Sequence, residues 1–521
     1  MIMRNPLIVC VLLLFLVSLQ AVGQRRVKLK RADNLYGSVK DGKRYDRLVG
    51  NVVFVQNKTT IYCDSAHFFK SDNRVDAFGK IHITEGDSID VTSLGLSYDG
   101  DQKIAHLRKN VVFTKLGLAT LHTDYLDYYR NQNEARYFNG GKLVDSTNVL
   151  TSRKGYYDIN TNTASFKGNV VGVNKEYTME SDTLQYNSKS KTIFFRDRTT
   201  ITDKEGGVAV YETGFYDTNK KLSSLYYGEI ETPSYKITGD RYFLNDLKKT
   251  YKAKGKVVMT SKEENMIIYG DDGDYDRGKG ITKVYGHAYL AKVTDQADTL
   301  FLSADTLVSI ESPDPQKKKL LAYNNVKIFK ADLQGKADSL VYVAHDSTLY
   351  FFNDPVLWTD ENQMTADSIR MLITNKTIDR IFLIDNSFVV AQDSLSHFNQ
   401  IKGRKMTAFF KDKAINHVDV DGNGESVYFA LQETKNEAAP DSLGMAKPTV
   451  VMMGMNKIIC SNMKINFKAG KVNNISFYVQ PDASFIPPSE LEEGEKKLRG
   501  FTWRIGEKPE KSDVVKSKKD L

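Results

Sequence analysis

The stretch GKADSLVYV, residues 335–343, is nearly repeated as LSADTLVSI (302–310) and MTADSIRML (364–372). Fainter copies are MESDTLQYN (179–187) and YCDSAHFFK (62–70). Each has a small residue, then Asp, then Ser or Thr, and usually a large apolar residue. A second phrase alternates with it: GNVVF (50–54), GKIHI (79–83), KNVVF (109–113), GNVVG (168–172), GKVVM (255–259), GHAYL (286–290) and NNVKI (324–328). Its copies start near 50, 79, 109, 140, 168, 228, 255, 286, 324, 353 and 385, mostly about 30 residues apart; the double gap before 228 hides a copy around RTTIT (198–202). A fixed period of this length marks a stacked repeat architecture.

Each unit reads as a strand, a polar turn, a second strand ending near Tyr or Phe, and another turn. YDINTNTA (157–164), YNSKSKTI (186–193) and YDTNKKLS (216–223) are typical turns, rich in the Asn, Asp and Ser that tight turns need. Helical periodicity is nearly absent before residue 487. Side chains alternate along a strand, so Val52 and Phe54 share a face. Ile81 with Ile83, Val111 with Phe113, Val257 with Met259, and Val326 with Ile328 repeat the choice, while the alternate positions hold Val53, His82, Val112, Val258 and Lys327. One face is consistently apolar and the other tolerates charge. A single repeat cannot bury that face; a stack can. A right-handed parallel β-helix competes, but two strands and two polar turns per unit fit a two-sheet roll better.

Composition agrees with a β protein: 41% hydrophobic residues, 28 Tyr, 26 Phe and only 11 Pro in 521 residues. The net charge of +8 is interspersed rather than gathered into a basic stripe, so nucleic acid is not expected as a partner. MIMRNPLIVCVLLLFLVSLQAVGQ opens the chain with one Arg, an apolar run from Leu7 to Leu19 and small residues at Ala21 and Gly23. That is the layout of a cleaved signal peptide, residues 1–23, and the expected address is the periplasm. An uncleaved anchor is the weaker alternative. Only Cys63 and Cys460 follow it, read as buried or half-buried residues without a disulfide.

These phrases, in phase behind a leader, resemble the OstA/LptA family of periplasmic lipopolysaccharide-transport proteins, closest to the long OstA-like proteins of Bacteroidota. The resemblance covers roughly 25–430 and extends at most to 486. It implies an open, V-shaped β-jellyroll whose interior holds the acyl chains of lipopolysaccharide. The expected fold is therefore all-β: an elongated, repeat-built open jellyroll of about 30 residues per repeat with a short C-terminal helix. The jellyroll is expected over 24–431, as one or several consecutive segments, followed by an inserted polar loop at 432–448 and terminal strands at 449–486. A capping helix and disordered tail are expected over 487–521. Ser489 with Glu492 matches a capping box and predicts a helix from about 490 to 499, with Phe501 and Trp503 packed down to shield the last strand's edge. The other exposed edge lies within Val27 to about Gly50.

No catalytic constellation emerges, so an enzyme is not expected. The eight His are scattered, no zinc or phosphate-loop motif occurs, and no metal or cofactor is expected. Asp64, Asp182, Asp305, Asp338 and Asp367 read as markers of a strand start or bend that satisfy turn amides rather than as a carboxylate row. DVDGNGE (419–425) begins like a calcium loop with Asp419, Asp421, Asn423 and Gly424, but its twelfth position is Ala430; it reads as a turn. The Asp-Ser/Thr tripeptides also match a short O-glycosylation acceptor pattern, with Ser442 the exposed candidate.

The favoured reading is a periplasmic lipid carrier or bridge in lipopolysaccharide transport to the outer membrane and assembly there. Its candidate interior residues are Val52, Phe54, Ile81, Ile83, Val111, Phe113, Val257, Met259, Val326 and Ile328. By resemblance its partners are lipid A acyl chains and other lipopolysaccharide-transport proteins, including an outer-membrane barrel; edge-to-edge self-association is left open. The alternatives are a structural or adhesive β-solenoid without lipid cargo, and a carbohydrate-active solenoid enzyme.

Overall fold

A computed structural model describes residues 26–204, 206–231, 235–262, 265–295, 298–359, 362–374, 377–412, 414–434, 449–468 and 471–515. The leader 1–23, positions 435–448 of the inserted loop with Ser442, and 516–521 lie outside the described residues. The chain divides into two compact units, Met1–Lys220 and Lys221–Leu521. Each is an antiparallel array of hairpin-linked strands.

In the first unit, β1 (Lys28–Arg31), β2 (Asn34–Lys40), β3 (Lys43–Gln56), β4 (Thr59–Phe69), β5 (Arg74–Glu85), β6 (Ile89–Asp99), β7 (Ile104–Lys115) and β8 (Ala119–Tyr129) begin the stack. Both β1 and β2 pair with β3, so they are themselves the outermost strands over the Val27–Gly50 stretch where the sequence places the other exposed edge, and most of β2 is exposed. From β3 to β8 every strand pairs with the next, and every pairing slips near its middle: between Val49 and Val52, Tyr62 and Ser65, Phe78 and Ile81, Thr92 and Gly95, and Arg108 and Val111. Those slips are bulges, and a bulge bends its strand. Each strand therefore serves two half-sheets. Further along, the bend becomes a break, and Glu134–Tyr137 and Gly141–Val144 are the two halves of one such strand, both paired with β8.

The two recurring phrases are the two sides of this corner. Gly50, Gly79, Gly255 and Gly286 have φ of +83°, +70°, +74° and +71°, the left-handed region that glycine occupies without strain. A Cβ at Gly79 would also stand 2.5 Å from Asp64 Oδ2, so the corner needs glycine for space as well. The Asp of one strand bonds an Asn at the next strand's corner: Asn51 Nδ2 donates to Asp33 at 2.8 Å, and Asn325, Asn353 and Asn386 donate to Asp305, Asp338 and Asp367 at 3.0–3.2 Å. The backbone repeats the link, with Asp33 N donating to Gly50 O at 2.9 Å and Asp367 N to Asp385 O at 3.0 Å. The Asp row is thus structural, as its bend-marking position predicts. Its acceptor role is mostly toward a neighbouring Asn side chain rather than toward turn amides.

DVDGNGE is another of these corners rather than a turn between strands. It lies inside the strand Ala414–Thr434, with a slip between Asp421 and Gly424 and positive φ at Gly422 and Asn423. The copy read around RTTIT is also present, as Thr199–Asp203 paired with Tyr177–Asn187.

The C-terminal segment departs from expectation. The helix predicted over 490–499 is a 3-10 turn at Pro488–Glu490 followed by turns, and the short α-helix lies at Lys511–Val514, inside the stretch expected to be disordered. The chain from 491 to 515 runs across the outside of the second unit's strands instead of along the last strand's edge. Val389 and Ile401 line the interior, so their neighbours Val390 and Gln400 face outward. On that outer face Leu498 joins Phe388, Val390, Val427, Phe429 and Met455 in a cluster against which Phe501 and Trp503 pack.

Two buried glutamines hold the segment there. Gln400 donates to Lys496 O and accepts from Leu498 N, both at 2.8 Å, while Gln363 donates to Thr502 O at 2.8 Å and accepts from Arg504 N at 2.6 Å. Each side-chain amide imitates a strand edge. Beyond them Arg504 pairs with Asp354 at 2.8 Å, Glu507 with Lys336, Lys511 sits over the Phe301 ring, and Val514 is buried.

Candidate lipid-binding interior

The half-sheets face each other, and the candidate residues lie between them. Phe54 belongs to the half after its bulge and Phe68 to the half before, yet their rings meet at 5.2 Å; Phe113 and Tyr128 meet likewise at 5.7 Å. Cross-strand pairing carries one apolar rung through the first unit: Phe54, Ile61, Ile83, Val91, Phe113, Leu121, Leu143 and Leu150. In the second unit Met259, Ile268, Leu290, Leu302, Ile328, Gly335, Leu357, Met364, Val389 and Ile401 form the equivalent rung.

All ten candidates are buried, none more than 5% exposed. Their burial shows an interior filled by side chains around them, and in the second unit a void lined by Met364, Leu383, Val389, Ile401, Met406 and Val418 measures about 20 Å³, room for one water and not for an acyl chain. Val52, Phe54 and their equivalents are thus core residues in this conformation.

Sequence reasoning missed a second inward row nearer the strand tips. Tyr98, Tyr128, Tyr157, Tyr186 and Tyr216 recur at steps of 30, 29, 29 and 30 residues, and they alternate across the ladder with Val75, Ala105, Ala135, Ala164 and Ile193. An Ala beside Tyr98, Tyr128, Tyr157 and Tyr186 leaves space for each ring. The signal was there, as the Tyr that closes each second strand.

Several of the hydroxyls reach the tips of the opposite half-sheet. Tyr98 bonds Gln56, and Tyr128 donates to Glu85 Oε2 at 2.8 Å. Arg130 ties the two together, donating to Glu85 Oε1 at 2.9 Å and to Tyr98 Oη at 2.8 Å. Further on, Tyr186 donates to Asp145, which also takes Lys191 Nζ at 2.9 Å. These groups are withdrawn from water: the side chains of Arg130, Lys191 and Asp145 are 8%, 16% and 1% exposed. Burial and then the Glu85 charge push the Tyr128 hydroxyl well above its ordinary pKa; burial and then Asp145 do the same to Tyr186.

His82, His106, His287 and His397 each pair with an Asp, at 2.6, 2.7, 2.8 and 3.2 Å. Among the described residues no three His, Cys, Asp or Glu are placed to share a metal. Cys63 and Cys460 are buried and free, and burial followed by the Asp64 charge pushes the Cys63 thiol up to about 12.

Residues 24–182, under a third of the chain, match the family model described as OstA-like protein. Over that stretch the chain is similar to OstA-like proteins. Among solved structures it is similar to LptH of Pseudomonas aeruginosa, the LptA-homologous periplasmic component of a lipopolysaccharide transport device. That similarity has 15% identity and a TM-score of 0.20, and covers 22% of this chain and 80% of that one. No curated protein matches the chain. The OstA-like stretch contains β3 to β8, six of the ten candidate residues and the Tyr98 and Tyr128 bonds.

Proposed function

We propose that this chain is a non-enzymatic lipid carrier of the periplasm, exported by a cleaved leader, that takes part in lipopolysaccharide transport to the outer membrane. The observation that carries the reading is the unbroken apolar rung between two half-sheets, in a chain whose first third is similar to OstA-like proteins. An amphiphile's chains lose about 0.8 kcal/mol per CH₂ in water, and an interior of this kind gives them a dry path while the headgroup stays at the strand tips. Its partners on this reading are lipid A acyl chains, other lipopolysaccharide-transport proteins and an outer-membrane barrel.

One observation favours the rival, a structural β-solenoid of the envelope: the interior is filled by its own side chains. The two readings differ in what touches Phe54, Phe113, Met259 and Ile328 in the cell. Photo-crosslinkers at those four positions are expected to capture lipopolysaccharide, and ones at the outward Lys80 and Lys327 are not. Equal capture on both faces, or none inside, leaves the structural solenoid.

A further inference from the structure

With the interior full, an acyl chain reaches Phe54 or Phe113 only if the half-sheets of the first unit part. The bonds that must give way are those joining strand tips to the tyrosine row. They are regular: Gln56 meets Tyr98, Glu85 meets Tyr128 and Asp145 meets Tyr186, at separations of 42, 43 and 41 residues. They are also polar bonds at the rim of an otherwise apolar interior. At the intervening tip stands Lys115, a donor, and there Tyr157 bonds Ser188 Oγ at 3.0 Å on its own side.

We propose that this row is a latch, opened by a phosphorylated, acylated amphiphile whose phosphate takes the place of Glu85 on Arg130 or, four strands further along, of Asp145 on Lys191. The inference rests on the lipid-carrier reading and adds where the headgroup is met and what it displaces. A phosphate is a chemical substitute for a carboxylate on both cations. Arg130 already grips Glu85 through two nitrogens, with Nε at 3.3 Å and Nη2 at 2.9 Å from Oε1, and a guanidinium serves phosphate in the same way. Both cations are already out of water, so the desolvation that makes a buried ion pair expensive to assemble is met by the fold before the ligand arrives. The released carboxylates are at strand tips, where they can turn to solvent. Tyr128 keeps a hydroxyl donor beside the first site and Tyr186 beside the second.

The test uses the full mature chain, with the neutral apolar dye N-phenylnaphthylamine to report opening. Phosphatidic acid and a diacylglycerol of equal chain length report headgroup recognition. The pair Glu85→Gln and Asp145→Asn is expected to raise dye uptake about tenfold, the scale of losing bonds to charged groups. Tyr128→Phe with Tyr186→Phe keeps the rings and should move uptake in the same direction by less; it carries the test if the first pair loses its strand signal. Arg130→Gln with Lys191→Gln should also admit dye but abolish the wild-type preference for phosphatidic acid over diacylglycerol. Unchanged dye uptake in every folded variant overturns the latch. A phosphatidic acid preference that survives loss of both cations overturns the exchange. The carrier reading fails separately, through absent interior crosslinks to lipid in cells, whatever the dye reports.

Discussion

Asp145 shows how much a single rim residue contributes. Burial alone would raise its carboxyl, but bonds from Tyr186, Thr147 N, Lys191 and Asn148 N outweigh burial and hold it down to about 2. An unfolded Asp titrates near about 4. Because the folded value is the lower one, the stabilisation is complete above about pH 4 and is lost as pH falls through about 2, amounting to about 2 kcal/mol. Asp145→Asn removes this titration. Chemical denaturation of wild type and variant is therefore expected to show a stability gap near pH 5 that shrinks by about 2 kcal/mol toward pH 2. A gap independent of pH would mean that the carboxyl is not held down in the folded protein.

At the scale of elements, the covering segment 491–515 makes a sheet with two buried faces out of one that would otherwise present Val390, Val427 and Phe429 to water. Trp358 and its neighbours Val356, Leu357 and Thr359 are all buried, the mark of a strand covered on both sides. Deleting 487–521 is expected to leave the chain aggregation-prone and binding a hydrophobic dye. Gln363→Ala and Gln400→Ala should each cost about 1–3 kcal/mol by stranding buried backbone groups of the segment. Unfolding followed by Trp503 emission measures the two substitutions, and light scattering measures the truncation.

This segment marks the limit of what the sequence discloses. The GNVVF and ADSL phrases are local: glycine's φ and the alternation of Val52 with Phe54 are written in five residues, so the strands, the corner and the interior face could all be read. Gln363 and Gln400 act on backbone more than ninety residues away, and no local pattern encodes that. The capping box at Ser489 and Glu492 reports only local helix preference, which the apolar outer face overrides by drawing Leu498, Phe501 and Trp503 down onto it. The tyrosine row falls between these cases. Its spacing is plain in the sequence, but its meaning depends on an acceptor more than forty residues earlier and on the opposite half-sheet.

For the whole molecule, the two units each carry their own apolar rung, and a repeat stack takes its stability from neighbouring repeats rather than from the chain as a whole. Such a chain need not unfold in one step. Its two tryptophans, Trp358 and Trp503, both belong to the second unit, whereas strand signal in circular dichroism reports on both. Denaturant is therefore expected to remove the circular dichroism signal in two steps, only one of which coincides with the change in tryptophan emission. Gln400→Ala, which weakens the cover of the second unit, should shift that emission-linked step to lower denaturant and leave the other in place. Asp145→Asn should do the reverse, moving only the step to which tryptophan is blind. If both probes instead trace one coincident transition, and either substitution moves it whole, the units fold as a single cooperative block, and neither the rim nor the cover acts on its own unit alone.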